Sequence, residues 1–492
     1  MGHLAAEVPV RPHWHGRYRL AQRPNILFLM SDEHRPDVVG YEGNQVVRTP
    51  TLDWLASTGV VFGNAYTPSP ICVPGRQSLM AGQLPQTTGC RRWAEDLPAN
   101  YMTWARVFAQ HAYHAVCAGK LHHMGYDQMQ GWTQRIVPDA HVHDAHVEGR
   151  IAEEFGRYTP EAGTGKWTNE KEVLRAGADD QAMYLRGDRL VVDAAINHLH
   201  NHFISHDYDK PASHRPLLMK VSLIQPHYPF FIDHDKFSYY LNRVPLFHGQ
   251  TRMDHPKLGQ TQMGPNFDAT LRDCRRATAA YYGMVEEIDQ QYRRVLEKLT
   301  DAGEDLDDWI IIYTSDHGEM LGEHGIWEKT QFYEASARVP LIIRWPRRFA
   351  PRCVNENVNL CDLFATLCEL AGLPLPPADR TGHGCGLDSR SLVPLMRGEA
   401  ADWHGRYHNE SISQIDDHCM IKRDALKYCW YQSPAGEPWP EVLFDLEQDP
   451  GETRNVIDQP RHAQSLACFR QRLAELGYGP QADGAGYRSP YN

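Results

Sequence analysis

A cysteine set four residues ahead of an arginine, with a proline between them, is the most chemically loaded stretch of this chain. It reads Cys72-Val73-Pro74-Gly75-Arg76, and Gly82 follows six residues on. Pro74 pre-sets the first turn of a helix. Cys72 is then expected just before a helix N-terminus, where free N–H groups and the dipole favour an anion. Arg76 falls one turn later on the same face. Such a setting predicts a stabilised thiolate, or another anion, at position 72.

Other reactive side chains cluster after apolar runs. The run Ile26 to Met30 leads into Asp32 and Glu33, and Tyr113 to Ala118 leads into Lys120 and His122. Leu217 to Ile224 leads into His227, and Trp309 to Thr314 into Asp316 and His317. A fifth run is Val339 to Ile343. Short, continuously apolar runs read as buried parallel strands. Helical periodicity lies between some of them. Over Ala279 to Leu299, the residues Met284, Ile288, Tyr292, Val295 and Leu299 form one stripe. Strands alternating with helices predict an α/β sheet covered on both faces. Such sheets bind ligands beyond the carboxyl ends of their strands, so the four polar groups are expected on one edge.

Composition narrows the class. The 492 residues are 42% apolar and 23% charged, ordinary for a globular enzyme. The net charge of −12 argues against a nucleic-acid partner, which needs clustered Lys and Arg. No run of about 18 apolar residues exists to span a membrane. Met1 to Pro24 lacks the apolar stretch of a signal peptide. The odd count of 11 scattered cysteines argues against a disulfide framework and for reduced thiols in a cytoplasmic protein. From Gly372 to Gly386 the chain is rich in Pro and Gly and reads as a linker. Strand-like pieces at Cys419 to Ile421 and Lys427 to Tyr431 follow, then a helix expected over Arg461 to Leu476. The expected division is a catalytic domain over residues 20–375, a smaller α+β domain over 376–476 and a tail over 477–492.

The pattern C-x-P-x-R with a later Gly resembles the signature of the formylglycine-dependent sulfatases of the alkaline phosphatase superfamily. Five further ordered segments resemble that family. Pro24 to Asp32 is similar to its opening strand and first metal carboxylate, and Gly119-Lys120-Leu121-His122 to its G-K-x-H element. Pro226-His227-Tyr228-Pro229 is similar to its P-H-x-P loop, and Ser315-Asp316-His317-Gly318-Glu319, with Lys329 beyond, to its second metal motif. Leu443 to Asn455 resembles its C-terminal signature.

The resemblance implies an alkaline phosphatase-like fold: a large, mostly parallel mixed sheet between helices, plus a small C-terminal α+β part with a short antiparallel sheet. It implies a sulfate ester hydrolase. Cys72 would be converted to formylglycine by a formylglycine-generating enzyme, and the aldehyde hydrate would attack sulfur. Asp32, Asp316, His317 and residue 72 would hold a divalent cation, Ca²⁺ or Mn²⁺ or else Mg²⁺, with the imidazole favouring manganese. Arg76 would hold the hydrate. Lys120, His122 and Lys329 would meet the sulfate oxygens, and His227 or Lys329 would protonate the leaving oxygen.

Two positions depart from the common pattern. Glu33 stands where many sulfatases have Asp, and Asp316-His317 where many have Asp-Asn. The Asp-His pair is similar to the choline sulfatase and phosphonate monoester hydrolase branch, in which an amide tends to stand where this chain has Trp93. Glu33 and Trp93 are therefore candidates for an outer ring or a substrate pocket. Trp93, Tyr126, Trp132 and Tyr228 are candidate faces for a quaternary ammonium. Two alternatives stay open: a phosphonate monoester or phosphodiester hydrolase on the same scaffold, and a binder of sulfated ligands with Cys72 unmodified. A tail reaching a neighbouring subunit is compatible with a homo-oligomer.

Overall fold

The computed structural model describes residues 23–93, 95–138, 170–208, 214–247, 253–258, 269–377 and 386–479. The expectations for most of the N-terminal stretch, for the tail beyond 479 and for the middle of the 372–386 linker lie outside them.

One eight-stranded sheet organises the chain. Its strands are β1 (Ile26–Ser31), β2 (Val60–Phe62), β3 (His114–Gly119), β4 (Gln134–Arg135), β5 (Leu217–Ser222), β6 (Ile310–Ser315), β7 (Leu341–Arg344) and β8 (Arg352–Val354). The spatial order is β8-β2-β7-β6-β1-β5-β3-β4. β1 lies at the centre, parallel to both β5 and β6. Every residue of these three strands is buried, which is why they read as continuous apolar runs rather than alternating ones.

Each face of the sheet has its own cover. Ile26, Phe28 and Met30 point to a core shared with Trp104 and Phe108 of α3 (Trp104–Gln110) and Leu363 and Leu367 of α6 (Leu363–Ala371). Leu27 and Leu29 point the other way. There they meet α1 (Pro50–Thr58), α4 (Met183–Tyr208) and α5 (Leu271–Asp301) through Leu52, Leu199 and Ile288. Helix α5 carries the predicted stripe and starts earlier than periodicity showed. Thr270 and Asp273 form a capping box that satisfies its first N–H groups.

One strand corrects the expectation of parallel runs. β7 lies antiparallel to β6. Between them the chain stays at the carboxyl edge, through contacts such as Gly318 N–H to Ser336 O and Met320 N–H to Glu328 O. No crossover returns it to the other edge, so β7 enters from the top and runs downward. An apolar run carries burial but no direction.

The C-terminal part is an antiparallel sheet of β9 (Glu410–Ile415), β10 (His418–Arg423), β11 (Leu426–Trp430) and β12 (Val442–Asp445). One face packs Ile412, Tyr428 and Leu443 against Phe469 and Leu473 of α7 (Ala463–Glu475). The other face packs Met420 and Phe444 against Tyr66, Phe332 and Tyr333 of the large unit. The ten described cysteines are all free. Among the described residues no helix is long and apolar enough to cross a membrane.

Candidate active site

The site grows from the carboxyl ends of β1, β3, β5 and β6 and from helix α2 (Cys72–Ala81). All ten residues of α2 are buried. Ile71 is its extended N-cap, so Cys72 is the first helical residue rather than the one before it. Gly82 ends the helix with φ 63° and gives its N–H to the Ser78 carbonyl. A Cβ at Gly82 would stand 2.6 Å from the Cβ of Phe364, so that turn requires glycine.

Four donor atoms converge at the head of α2. Ligand atoms of Asp32, Cys72, Asp316 and His317, all buried, lie within 4.8 Å of one another. Cys72 Sγ is 3.1 Å from His317 Nε2 and 3.6 Å from Asp32 Oδ1. His317 Nδ1 is 3.0 Å from the Gly318 carbonyl. A carbonyl only accepts, so the ring proton sits on Nδ1 and the Nε2 lone pair faces the cluster. Two hard oxygens and an inward imidazole nitrogen fit a divalent cation. The thiol itself contradicts the expected thiolate. Burial, reinforced by the Asp32 carboxylate, pushes it up to about 12, overriding the helix terminus.

Cations surround the carboxylates. Arg76 gives Nε to Asp316 Oδ2 at 2.7 Å and Nη2 to Asp32 Oδ2 at 2.9 Å. Its Nη1 reaches the Lys120 carbonyl at 2.9 Å and Ser222 Oγ at 3.0 Å. Here Arg76 clamps the two carboxylates, whereas the sequence pattern aimed it at the nucleophile. Lys120 Nζ pairs with Asp32 Oδ2 at 2.6 Å. Burial opposes ionisation of Asp32, but Lys120 and Arg76 outweigh it and hold the carboxyl well below the usual range.

A second arm faces the same centre. Lys329 Nζ donates to Glu33 Oε2 at 2.7 Å and to His227 Nε2 at 2.8 Å. His227 Nδ1 lies 2.5 Å from the Tyr228 carbonyl. The ring proton is therefore on Nδ1, and Nε2 accepts from the Lys329 ammonium. Burial, with Glu319 behind it, raises Glu33 well above the ordinary carboxyl range, and burial raises Glu319 as well. Burial opposes the charge on Lys329, but the acidic groups around it, Glu33 among them, outweigh burial and hold its ammonium well above the ordinary lysine value. Tyr228 lies under Lys329, with Nζ 4.6 Å from its ring centroid.

The loops carrying these groups are held by neighbours and by unusual backbone. Glu33 and His122 have φ of 66° and 60°, and Glu328 and Thr330 bracket Lys329 at 69° and 70°. Left-handed geometry costs about 1–2 kcal/mol for each such residue. Tertiary bonds compensate: Tyr281 Oη donates to the Glu33 carbonyl at 2.6 Å, and Gln77 Nε2 to the His122 carbonyl at 3.0 Å. Asp188 accepts the N–H groups of Ile224 and Gln225, both at 2.8 Å, and so fixes the strand end leading to His227. Gly119, with φ 84°, lies so close to β5 that a Cβ would sit 2.1 Å from the Ser222 carbonyl.

The structure thus brings Asp32, Glu33, Cys72, Arg76, Lys120, His227, Asp316, His317 and Lys329 into one cluster. His122 lies at its margin with Trp93 edge-on, centroids 6.3 Å apart. The candidate aromatics divide. Trp132 is buried against Trp104 in the core, and Tyr126 is 83% exposed. Trp93 and Tyr228 remain beside the site. Sequence reasoning missed Ser222, Asp188, Tyr281 and the role of Glu319. Glu319 stood inside a recognised motif, but nothing in its spacing showed that it would meet Glu33.

Comparison with known proteins follows the same residues. Residues 24–373 match the family described as Sulfatase, and 322–478 the one described as N-sulphoglucosamine sulphohydrolase, C-terminal. An arylsulfatase of Clostridium perfringens is 28% identical over 479 residues, 92% of this chain and 94% of its own. A choline-sulfatase of Rhizobium meliloti is 29% identical over 474 residues, 92% of this chain and 86% of its own. The phosphonate monoester hydrolase of Agrobacterium radiobacter superposes with a TM-score of 0.71 at 24% identity, covering 92% and 95% of the two chains, a likeness of fold.

Proposed function

Because this chain belongs to the sulfatase family and is a sulfuric ester hydrolase, we propose that residue 72 is its nucleophile after conversion of Cys72 to formylglycine. The observation that carries the reading is the position of Sγ, 3.1 Å from His317 Nε2 inside a buried set of hard donors. A reactive group at residue 72 and a cation at that set would occupy one centre.

Asp32, Asp316 and His317 would hold the cation, with manganese or calcium the best matched to this set and magnesium next. Bound there, it would supply Lewis acidity to oxygen at residue 72 and to the ester. The formylglycine hydrate would supply the attacking hydroxyl and, with its second hydroxyl, expel sulfate. The chain's own residues do the rest. Arg76 orients both carboxylates and, with Lys120, keeps Asp32 ionised. Lys120 and Lys329 bring positive charge from two sides to the non-bridging sulfate oxygens, with His122 at the margin. Lys329 is the proton-bearing member of its pair with His227, so it is the group that gives a proton to the leaving oxygen. Glu33 serves by anchoring Lys329 rather than as a metal ligand. Maturation by a formylglycine-generating enzyme belongs to the same reading, as does a cytoplasmic location. We also divide the chain into a catalytic part over 20–375, a smaller part over 376–476 and a tail.

An aryl sulfate assay tests the reading. Purified protein is expected to turn over the substrate, a chelator to stop it, and Cys72→Ala to lower kcat/KM by about 10⁴-fold or more. The tryptic peptide holding residue 72 is expected at lower mass than its cysteine form. Strong turnover by Cys72→Ala sinks the mechanism.

A further inference from the structure

At the opposite edge of the sheet the stripes that join α4 to β3 end in histidines. Val116 and Ala118 of β3 pack in the core with Val192, Ala195 and Leu199 of α4. Side chains alternate along a strand, so His114 continues the face of Val116 and Ala118. His198 lies three residues after Ala195, and His202 three after Leu199, so both continue the helix stripe. Where apolar residues would complete that seam, three imidazoles meet instead. All three are half-buried, and their ligand nitrogens lie within 4.8 Å of one another.

We propose that His114, His198 and His202 form a second metal site, for a borderline transition ion such as Zn²⁺. Ring spacing supports it. With Zn–N bonds of about 2.0–2.1 Å, tetrahedrally held imidazole centroids stand about 3.2 Å from the ion and about 5.2 Å apart. The observed separations are 5.3 Å for His114 and His198, 5.8 Å for His114 and His202, and 6.3 Å for His198 and His202. The widest pair stands about 1.1 Å beyond that spacing, a gap that small rotations of both rings close. His198 Nε2 is buried with no hydrogen-bond partner, a polar atom that an ion would satisfy. Three nitrogens without an oxygen donor select Zn²⁺, Cu²⁺ or Ni²⁺ over Ca²⁺ or Mg²⁺. The ion would pin α4 to β3 a full strand length from the catalytic cluster, about 17–20 Å away.

Zn²⁺ titration of the full chain against a chromogenic chelator tests this. Wild type is compared with His198→Gln/His202→Gln and with His114→Gln. The catalytic donors are unchanged in all three, so any ion they hold cancels. Both variants are expected to bind one equivalent fewer, or to bind it more weakly than the roughly 10–100-fold that loss of an outer contact costs. Their aryl sulfate turnover is expected within about twofold of wild type, which shows the fold intact. Equal equivalents at equal affinity in all three proteins overturn the proposal. If the double variant fails to fold, the His114→Gln count decides by itself.

Discussion

Two buried charge networks among the described residues are built differently. One is the cluster around Arg76. The other lies where the small sheet meets the large unit, around the fully buried Lys427. Its ammonium reaches Glu334 at 2.6 Å, Glu452 at 2.7 Å and the Phe332 carbonyl at 2.8 Å. Three protons meet three acceptors, and the network closes on itself. At the head of α2 the geometry differs. Asp32 Oδ1 and His317 Nε2 both present lone pairs across 3.9 Å, with Cys72 Sγ between them. Burial and charge alone therefore do not mark a site. Acceptors facing one another do, because only a cation or a reacting group satisfies them together.

Removing a member should separate the two by kind of effect. Asp316→Asn takes away a donor atom of the cluster and weakens the Arg76 clamp. We expect kcat/KM for an aryl sulfate to fall about 10³-fold, the several kcal/mol that a metal centre contributes. Thermal stability should fall as well, because the buried Arg76 loses one of its two carboxylate partners, so kcat/KM of the folded protein is the quantity that marks this network. A large loss of melting temperature with unchanged turnover would place the Arg76 network in the architectural class and erase the contrast.

Lys427→Met is the converse. It leaves the buried Glu452 without its cation and Glu334 with Arg338 alone, and breaking a buried pair in this way costs about 3–5 kcal/mol of stability. Denaturant unfolding reads that loss. The folded fraction should keep wild-type kcat, since among the described residues Lys427 touches no group of the catalytic cluster. A kcat reduced tenfold in folded protein would show the two networks to be coupled.

How much of this was legible in the sequence follows from what is local. Strand ends carrying Asp32, Lys120, His227 and Asp316 could be read because burial pattern and position are written along the chain. The clamp could not, because Arg76 meets Asp316 across 240 residues, and no spacing rule reaches that far. The direction of Leu341–Arg344 was illegible for a related reason: direction lies in the connection, while the apolar run shows only burial. The thiol of Cys72 misled in a third way. A helix terminus favours an anion, but complete burial beside Asp32 outweighs it, and burial is a tertiary fact. His198 and His202 of α4 meet His114 only because the fold lays that helix beside β3.

The smallest expected effect concerns protons in the closed network. Burial, with Glu334 beside it, raises Glu452 to about 7, while Lys427 opposes the shift. Unfolded, the group ionises near the ordinary value of 4.5. Between these values the unfolded chain has lost the proton and the folded chain keeps it. Stability from this group is therefore complete below about pH 4.5 and is lost as pH rises toward 7, with a slope of at most about 1.4 kcal/mol per pH unit. Glu334 has the opposite sign: burial opposes its ionisation, but Lys427 outweighs burial and lowers it, so its contribution is lost as pH falls below 4.5. Glu452→Gln removes the first slope and leaves the second. Melting temperatures at pH 5, 6 and 7 should decline more steeply for wild type than for Glu452→Gln. Parallel declines would mean that Lys427 keeps Glu452 ionised throughout, and that the closed network is an ion triad rather than a proton-holding one.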